Sequence, residues 1–517
     1  MNKIVLYDTT LRDGSQGEGV SFSLQDKLGI AIKLDELGID YIEGGYPFSN
    51  PKDASFFMEI KNVRLRHAKI ASFGSTRKAN TKTSQDPNII SLIKAETPVV
   101  TIVAKSWDFQ VSNVLRTTLD ENLKMVAETV EFLKSKNKEV ILDAEHFFDG
   151  YKSNPEYALK VIKVGQEAGS DTIVLCDTNG GSLPPEIAEI VKKVKNTISM
   201  PIGIHTHNDC DLAVANTIAA VEQGVRHVQG TTNGFGERCG NADLCSIIPI
   251  LALKKGLRCL DEKGLKKLTE VSRYVYEVAN ILPRSNQPFV GKSAFAHKGG
   301  LHADAVRKAK ASYEHISPEK IGNERRILIS ELSGGASVLA KIEKYDITHD
   351  RKLMKHILTQ VQDLENKGYQ FEAAEASFEL LVKKALGRHR TFFDLEGFST
   401  TVEKRENGAI NTIATVKIKV DGVEELTASE GDGPVNALDG ALRKALERFY
   451  PSIKEMQLVD YKVRVIEPQK GTAAKVRVII QSRDHKDLWS TVGVSENIVE
   501  ASWQALVDSI EYKLLKD

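Results

Sequence analysis

The first half of the sequence predicts a (β/α)8 TIM barrel, and the rest predicts helical linker subdomains followed by a C-terminal α+β domain. Three observations carry this. Short apolar runs alternate with amphipathic segments eight times in roughly 250 residues, the size and count of such a barrel. Polar residues collect just after those runs, where barrels of this kind place their chemistry. Past about residue 390 the apolar period shortens from about 3.6 residues to about 2. A doubly wound open sheet gives the same alternation and is the second fold reading.

Strands are expected at 4–7, 41–44, 69–73, 99–104, 140–144, 172–176, 202–207 and 227–231. Helical patterns fall between them at 25–37, 51–60, 87–95, 119–134, 155–168, 184–194 and 212–223. Proline opens several of these, and Gly38, Gly169 and Gly224 close others, as helix ends favour. Residues 256–390 read as mostly helical, with breaks at Pro283, Pro288 and Pro318. Within them, 287–304 combine glycines and histidines with weak periodicity, as a functional connector does. Further on, 402–406, 412–420, 462–466 and 475–481 alternate as strands, and helical stretches at 435–450 and 498–515 each follow a strand pair. Turn signals at Asn407-Gly408 and Asp421-Gly422 bracket a hairpin strand. The expected divisions are 1–275 for the barrel, 276–390 for the linker subdomains and 391–517 for a small domain of two related halves.

A chain of 517 residues is too long for one ordinary core. Lys+Arg 70 cancels Asp+Glu 70, so net charge points to neither nucleic acid nor a membrane surface. No apolar run approaches the ~18 residues of a membrane span, and 4–7 is too short for a signal-peptide core. The five cysteines (Cys176, Cys210, Cys239, Cys245, Cys259) have no C-x-x-C spacing and read as reduced thiols. A cytoplasmic enzyme is expected.

The chemistry starts at Pro201-Ile-Gly-Ile-His-Thr-His-Asn-Asp209. Strand alternation puts His205 and His207 on one face, where two imidazoles can share one metal ion. Asp13, after the first strand, adds a carboxylate, unless it is only a loop partner of Arg12. The set suits Mn²⁺, Zn²⁺, Fe²⁺ or Co²⁺. Strands one, seven and eight are neighbours in a closed barrel, so the loop bearing Asn241 converges on the same point. Arg12 can grip a carboxylate bidentately, which beside a metal favours a 2-keto acid. Asp143 and Glu145 share a face at the fifth strand end. Either can act as a base, and a structural hydrogen bond serves equally for Asp143. Thr178 is a hydroxyl partner for a substrate carboxylate or a turn residue.

Three motifs, Asp8-Thr-Thr-Leu-Arg-Asp-Gly-Ser-Gln-Gly-Glu18, His205-Thr-His-Asn-Asp209 and Gly234-Phe-Gly-Glu-Arg-Cys-Gly-Asn-Ala242, together resemble the metal-dependent acyl-CoA/2-keto-acid enzymes of TIM-barrel fold. These include the isopropylmalate, citramalate and homocitrate synthases and their lyase and aldolase relatives. The resemblance continues through His297-Lys-Gly-Gly-Leu-His-Ala-Asp304 and Tyr313-Glu-His-Ile-Ser-Pro318 to Gly431-Asp-Gly-Pro-Val-Asn-Ala437, which is similar to the family's regulatory domain. It implies a divalent metal (Mn2+, Zn2+, Mg2+ or Co2+) at Asp13, His205, His207 and Asn241, with acetyl-CoA as co-substrate. Arg12 would stabilise the keto-acid oxygen, Thr178 and Asp143 would bind substrate, and Glu145 would position or activate a group beside it. His302, oriented by Asp304, is the first candidate base and Glu145 the second. Together with Tyr313 it would reach a neighbouring subunit's barrel in a homodimer.

Gly17-Glu-Gly-Val-Ser-Phe-Ser23 and Asp143-Ala-Glu-His-Phe-Phe-Asp-Gly-Tyr151 resemble the citramalate synthase branch, whose acceptor is pyruvate. Phe147 and Phe148 near the site would fit that smaller acceptor. Membership implies a condensation in isoleucine biosynthesis with isoleucine as effector. The Gly431–Ala437 segment is a ligand loop or simply a helix entry with Pro434 in the first turn. Alternatives are an isopropylmalate synthase, a lyase or aldolase, and a non-catalytic metabolite sensor.

Overall fold

Eight strands of the computed structural model, β1 (Val5–Asp8), β2 (Tyr41–Gly45), β3 (Lys69–Ser75), β4 (Val99–Lys105), β5 (Glu139–Glu145), β6 (Thr172–Asp177), β7 (Ile202–Thr206) and β8 (His227–Gly230), form a closed parallel barrel. Each pairs with the next, and β8 closes on β1 with Val5 opposite His227 and Asp8 opposite Gly230. The open sheet is thereby excluded. The structure describes residues 3–297, 302, 305, 306, 308–327, 351–371, 374–404, 408, 410–466, 471, 473–485 and 487–516.

Alternation sorts each strand into two faces. Leu6, Ile42, Val100, Leu142, Ile173, Ile204 and Val228 face the helices and join the main core. Tyr7, Ala71, Val99, Ile141, Val174 and Cys176 fill the barrel interior. Inward parity then carries Glu43, Lys105, Asp143, Glu145, His205 and Gln229 toward the C-terminal mouth. The helices between are fixed by their ends. Ser23 and Asp26 form a capping box at Leu24–Leu37, and Gly38 closes that helix with φ +99°, a backbone only glycine adopts cheaply.

The chain divides into two compact units, one of Met1–Phe295 with His315–Arg325, the other of Ala296–Glu314 with Arg326–Asp517. The expectation of a mostly helical 256–390 needs correction. Helices at Leu268–Val278, Arg351–Asn366 and Glu375–Ala385 are present, but 282–327 run largely as turns and short 3-10 segments among the described residues. Prolines and glycines there interrupt the ladder.

The second unit carries two three-stranded antiparallel sheets, β9 (Asp394–Lys404), β10 (Ile410–Val420), β11 (Val423–Gly431) and β12 (Gln457–Val465), β13 (Val476–Arg483), β14 (Leu488–Ser495). Ala414, Val416, Ile418 and Val420 of β10 face Leu438, Ala441 and Leu442 of the helix Pro434–Leu446. Val478 and Ile480 face Leu506 and Ile510 of the helix Ile498–Lys516 in the same way. Strands β11 and β14 were not expected, for β11 is mostly solvent-exposed and polar. No helix among the described residues is long and apolar enough to cross a membrane.

Candidate metal centre

The turn after β1 is tied to the turn after β8 before any ligand is placed. Asp8 accepts from Thr10 N at 2.8 Å and from Thr232 Oγ1 at 2.9 Å, and Thr232 N donates to Thr10 Oγ1. The backbone N–H groups of Arg12, Asp13 and Gly14 converge on Thr9 O. Arg12 and Asp13 are thus presented on a rigid turn. His207, one residue past β7, makes an antiparallel bridge to Asn241, which brings the β7 and β8 loops together. Gly236 (φ +155°) lies against the Asn241 side chain, where an added Cβ would collide with Oδ1.

Asp13 Oδ2 lies 3.3 Å from His205 Nε2 and 3.9 Å from His207 Nε2, and the two Nε2 atoms are 3.3 Å apart. Their ligand atoms all lie within 4.8 Å of one another, and all three residues are buried. Asn241 Nδ2 donates to Asp13 Oδ2 at 2.8 Å, leaving Asn241 Oδ1 buried without a partner. Two imidazole nitrogens and a carboxylate oxygen around one point fit a divalent cation, with the Asn241 amide beside them. Burial would raise the Asp13 carboxyl, but Arg12 and then His205 outweigh it and hold it well below the usual range. Burial, then the adjacent His205, pushes His207 down to about 3. It is neutral near pH 7, as a metal ligand must be.

Arg12 donates from Nε to Glu43 Oε2 at 2.6 Å, and its guanidinium lies 3.9 Å over the Phe73 ring. Glu43 in turn accepts from Tyr7 OH at 2.7 Å. Arg12 keeps 13% side-chain exposure, enough to meet a ligand at the mouth. Asp143 is only 3% exposed and accepts from Gln229 Nε2 at 3.0 Å. Burial, with the charge of Glu43, lifts it to about 7. Its hydrogen bond runs to Gln229 on β8 rather than to a loop. Glu145 pairs with Lys105, its register partner across β4 and β5. Thr178 Oγ1 accepts from His146 N at 2.9 Å, and Arg238 holds its carbonyl.

Phe147 and Phe148 do not line the mouth. Both are 0% exposed and stacked edge to face in the main core, because they start the helix Phe147–Ser153 and turn inward. His302 is exposed and its ring stacks on Tyr313 at 4.1 Å; Tyr313 is 50% exposed. Asp304 lies outside the described residues. Sequence reasoning missed Lys105 and Gln229. A lysine ending an apolar strand was a readable signal, whereas one amide inside β8 was not.

Residues 3–275 match the HMGL-like family model, 289–369 the homocitrate synthase post-HMGL domain-like model, and 372–514 the LeuA allosteric (dimerisation) domain. An (R)-citramalate synthase of Aquifex aeolicus is 57% identical over 520 residues, covering 100% of this chain and 98% of the relative. One of Geobacter sulfurreducens is 56% identical over 519 residues with the same coverage. A probable 2-isopropylmalate synthase of Methanopyrus kandleri is 31% identical, covering 98% of each.

Proposed function

The chain belongs to the (R)-citramalate synthase family of HMGL-like barrels, and on that premise we propose how it acts. It condenses acetyl-CoA with pyruvate and hydrolyses the thioester, giving (R)-citramalate and CoA for isoleucine biosynthesis in the cytoplasm. The observation that carries this is the convergence of Asp13, His205 and His207, with Asn241 bonded to Asp13, beside an Arg12 braced by Glu43. A divalent ion held there (Mn2+, Zn2+, Mg2+ or Co2+) supplies Lewis-acid polarisation of the 2-keto group.

Arg12 faces the same oxygen and stabilises the charge it gains as the acetyl carbon adds to the keto carbon. Thr178 holds the pyruvate carboxylate. A base removes one proton from the acetyl methyl group. His302 oriented by Asp304 is the first choice, acting with Tyr313 from the other subunit of a homodimer; Glu145 is the second. The new alkoxide takes a proton, and water then cleaves the thioester, leaving a carboxylate and the CoA thiol. Asp143 acts from beneath the site. Catalytic, linker and regulatory functions divide near residues 275 and 390.

Isoleucine is the effector, and we assign it to a cavity of about 710 Å3 in the second unit. Val435, Asn436, Leu458 and Tyr461 line it beside the N-terminus of the helix Pro434–Leu446, whose amide groups favour a carboxylate. Pro434 occupies that helix's first turn, so helix entry and ligand loop are compatible readings.

The test is thiol release from acetyl-CoA with a panel of 2-keto acids. Pyruvate should give the highest kcat/KM. A preference for 2-ketoisovalerate would overturn the assignment in favour of isopropylmalate synthesis.

A further inference from the structure

His205 and His207 are held in different ways. His207 Nδ1 is buried with no hydrogen-bond partner. His205 Nδ1 lies 2.9 Å from Gln229 Oε1 on the adjacent strand β8, and Gln229 is fully buried. The other end of that amide donates from Nε2 to Asp143 Oδ1 on β5 at 3.0 Å. A carboxamide has one accepting and one donating end, and the ionised Asp143 carboxylate, which only accepts, holds the donating end. Turned over, it would set N–H against the imidazole and oxygen against the carboxylate.

We propose that Gln229 is a positioning residue for the metal. Held by Asp143, it takes the Nδ1 hydrogen of His205 and so fixes the tautomer whose Nε2 lone pair faces Asp13 and the ion. Metal-bound histidines commonly donate their second nitrogen to a carboxylate, carbonyl or water. Here an amide oxygen accepts that hydrogen, and it carries no charge of its own into the interior. The inference rests on the metal reading of Asp13, His205 and His207. It goes beyond that reading by giving two further strands, β8 and β5, a role in metal affinity without any contact to the ion.

The experiment is Co2+ binding to the full-length metal-free protein, measured by competition with a chelator and by the visible absorption of the bound ion. Wild type should bind one ion per chain and His207→Ala none; failure of that control would fault the metal reading itself. Given the control, Gln229→Leu should weaken binding roughly 10- to 100-fold and change the absorption band. Gln229→Glu, which keeps an oxygen toward Nδ1, should recover most of the affinity. Asp143→Asn, able to satisfy the amide in either orientation, should weaken binding in the same direction but less. It carries the test if Gln229→Leu does not fold. Equal loss in Gln229→Leu and Gln229→Glu would overturn the proposal. So would affinities within twofold of wild type in every folded variant.

Discussion

Lys105 and Glu145 end neighbouring strands in exact register and form an ion pair, each side chain about one-fifth exposed. They share the inward parity of Asp143, and strand order sets β5 across the barrel from β1. The mouth therefore has a metal side built on β1, β7 and β8 and an ion-paired side built on β4 and β5. If Glu145 moves a proton, Glu145→Gln should lower kcat by about 100-fold or more with little change in KM for pyruvate. Lys105→Met should lower kcat less, because the carboxylate stays but loses its anchor. Steady-state kinetics decide, and an unchanged kcat in Glu145→Gln would remove the residue from the chemistry.

Arg12 is aimed by Glu43 below and Phe73 alongside. Lysine keeps the charge but offers neither the Nε donor nor a planar face. Arg12→Lys should cost kcat roughly 100- to 1,000-fold, as losing a group that stabilises a developing oxyanion does. Glu43→Gln should cost less and chiefly through disorder of Arg12. Comparing kcat with KM in the two variants separates the roles: a rise in KM alone would mean that Arg12 only binds substrate.

A ligand that binds only the folded state stabilises it by mass action. Free Mn2+ at 100 times its Kd should add about 2.7 kcal/mol to the unfolding free energy of the metal-free protein. His207→Ala should gain nothing. Urea titrations with and without the ion measure both, and equal stabilisation of the variant would place the ion elsewhere.

Much of this was readable because parallel strands covered on both faces are apolar runs. Ile202–Thr206 and Thr172–Asp177 sit within a residue of where the sequence puts them. The triad was readable because His-x-His at a strand end has few other uses. Strand β11 was not, since its exposed Glu424 and Glu430 and the half-buried Glu425 blur the alternation. Phe147 and Phe148 misled because sequence places them after β5 but not on the inside or outside of the next turn. Gln229 was invisible for a different reason. Its meaning lies in two partners, 24 and 86 residues away.

Asp8 offers a pH test away from the metal ligands. Burial, the largest influence, lifts its carboxyl to about 6 despite the hydrogen bonds from Thr10 and Thr232. The unfolded value is about 3.9. The folded state thus binds the proton more tightly, and stability from this group is full below about pH 4 and lost as pH rises through about 6. Roughly two pK units amount to about 3 kcal/mol. Asp8→Asn does not titrate. The stability of wild type minus that of Asp8→Asn should therefore fall by about 2 kcal/mol between pH 4 and pH 7 in the metal-free protein. A flat difference would contradict the shift.

The cavity beside Pro434–Leu446 ties the regulatory reading to a few side chains. Arg443 there is fully engaged, gripping Asp439 through Nε and donating from Nη1 to the carbonyls of Ile453 and Met456. It is a strut rather than a free cation, so the helix amide groups and Lys454, which also lines the cavity, are the features open to an anion. Val435, Met456 and Leu458 supply apolar surface for an aliphatic side chain. Leu458→Trp should fill the space and abolish inhibition by isoleucine, while kcat and both KM values without effector stay within about twofold, since distant surface changes are usually mild. Initial rates with 0 to saturating isoleucine, and leucine as the comparison, give the answer. Inhibition that persists unchanged in Leu458→Trp would move the effector out of this cavity, and stronger inhibition by leucine would change its identity.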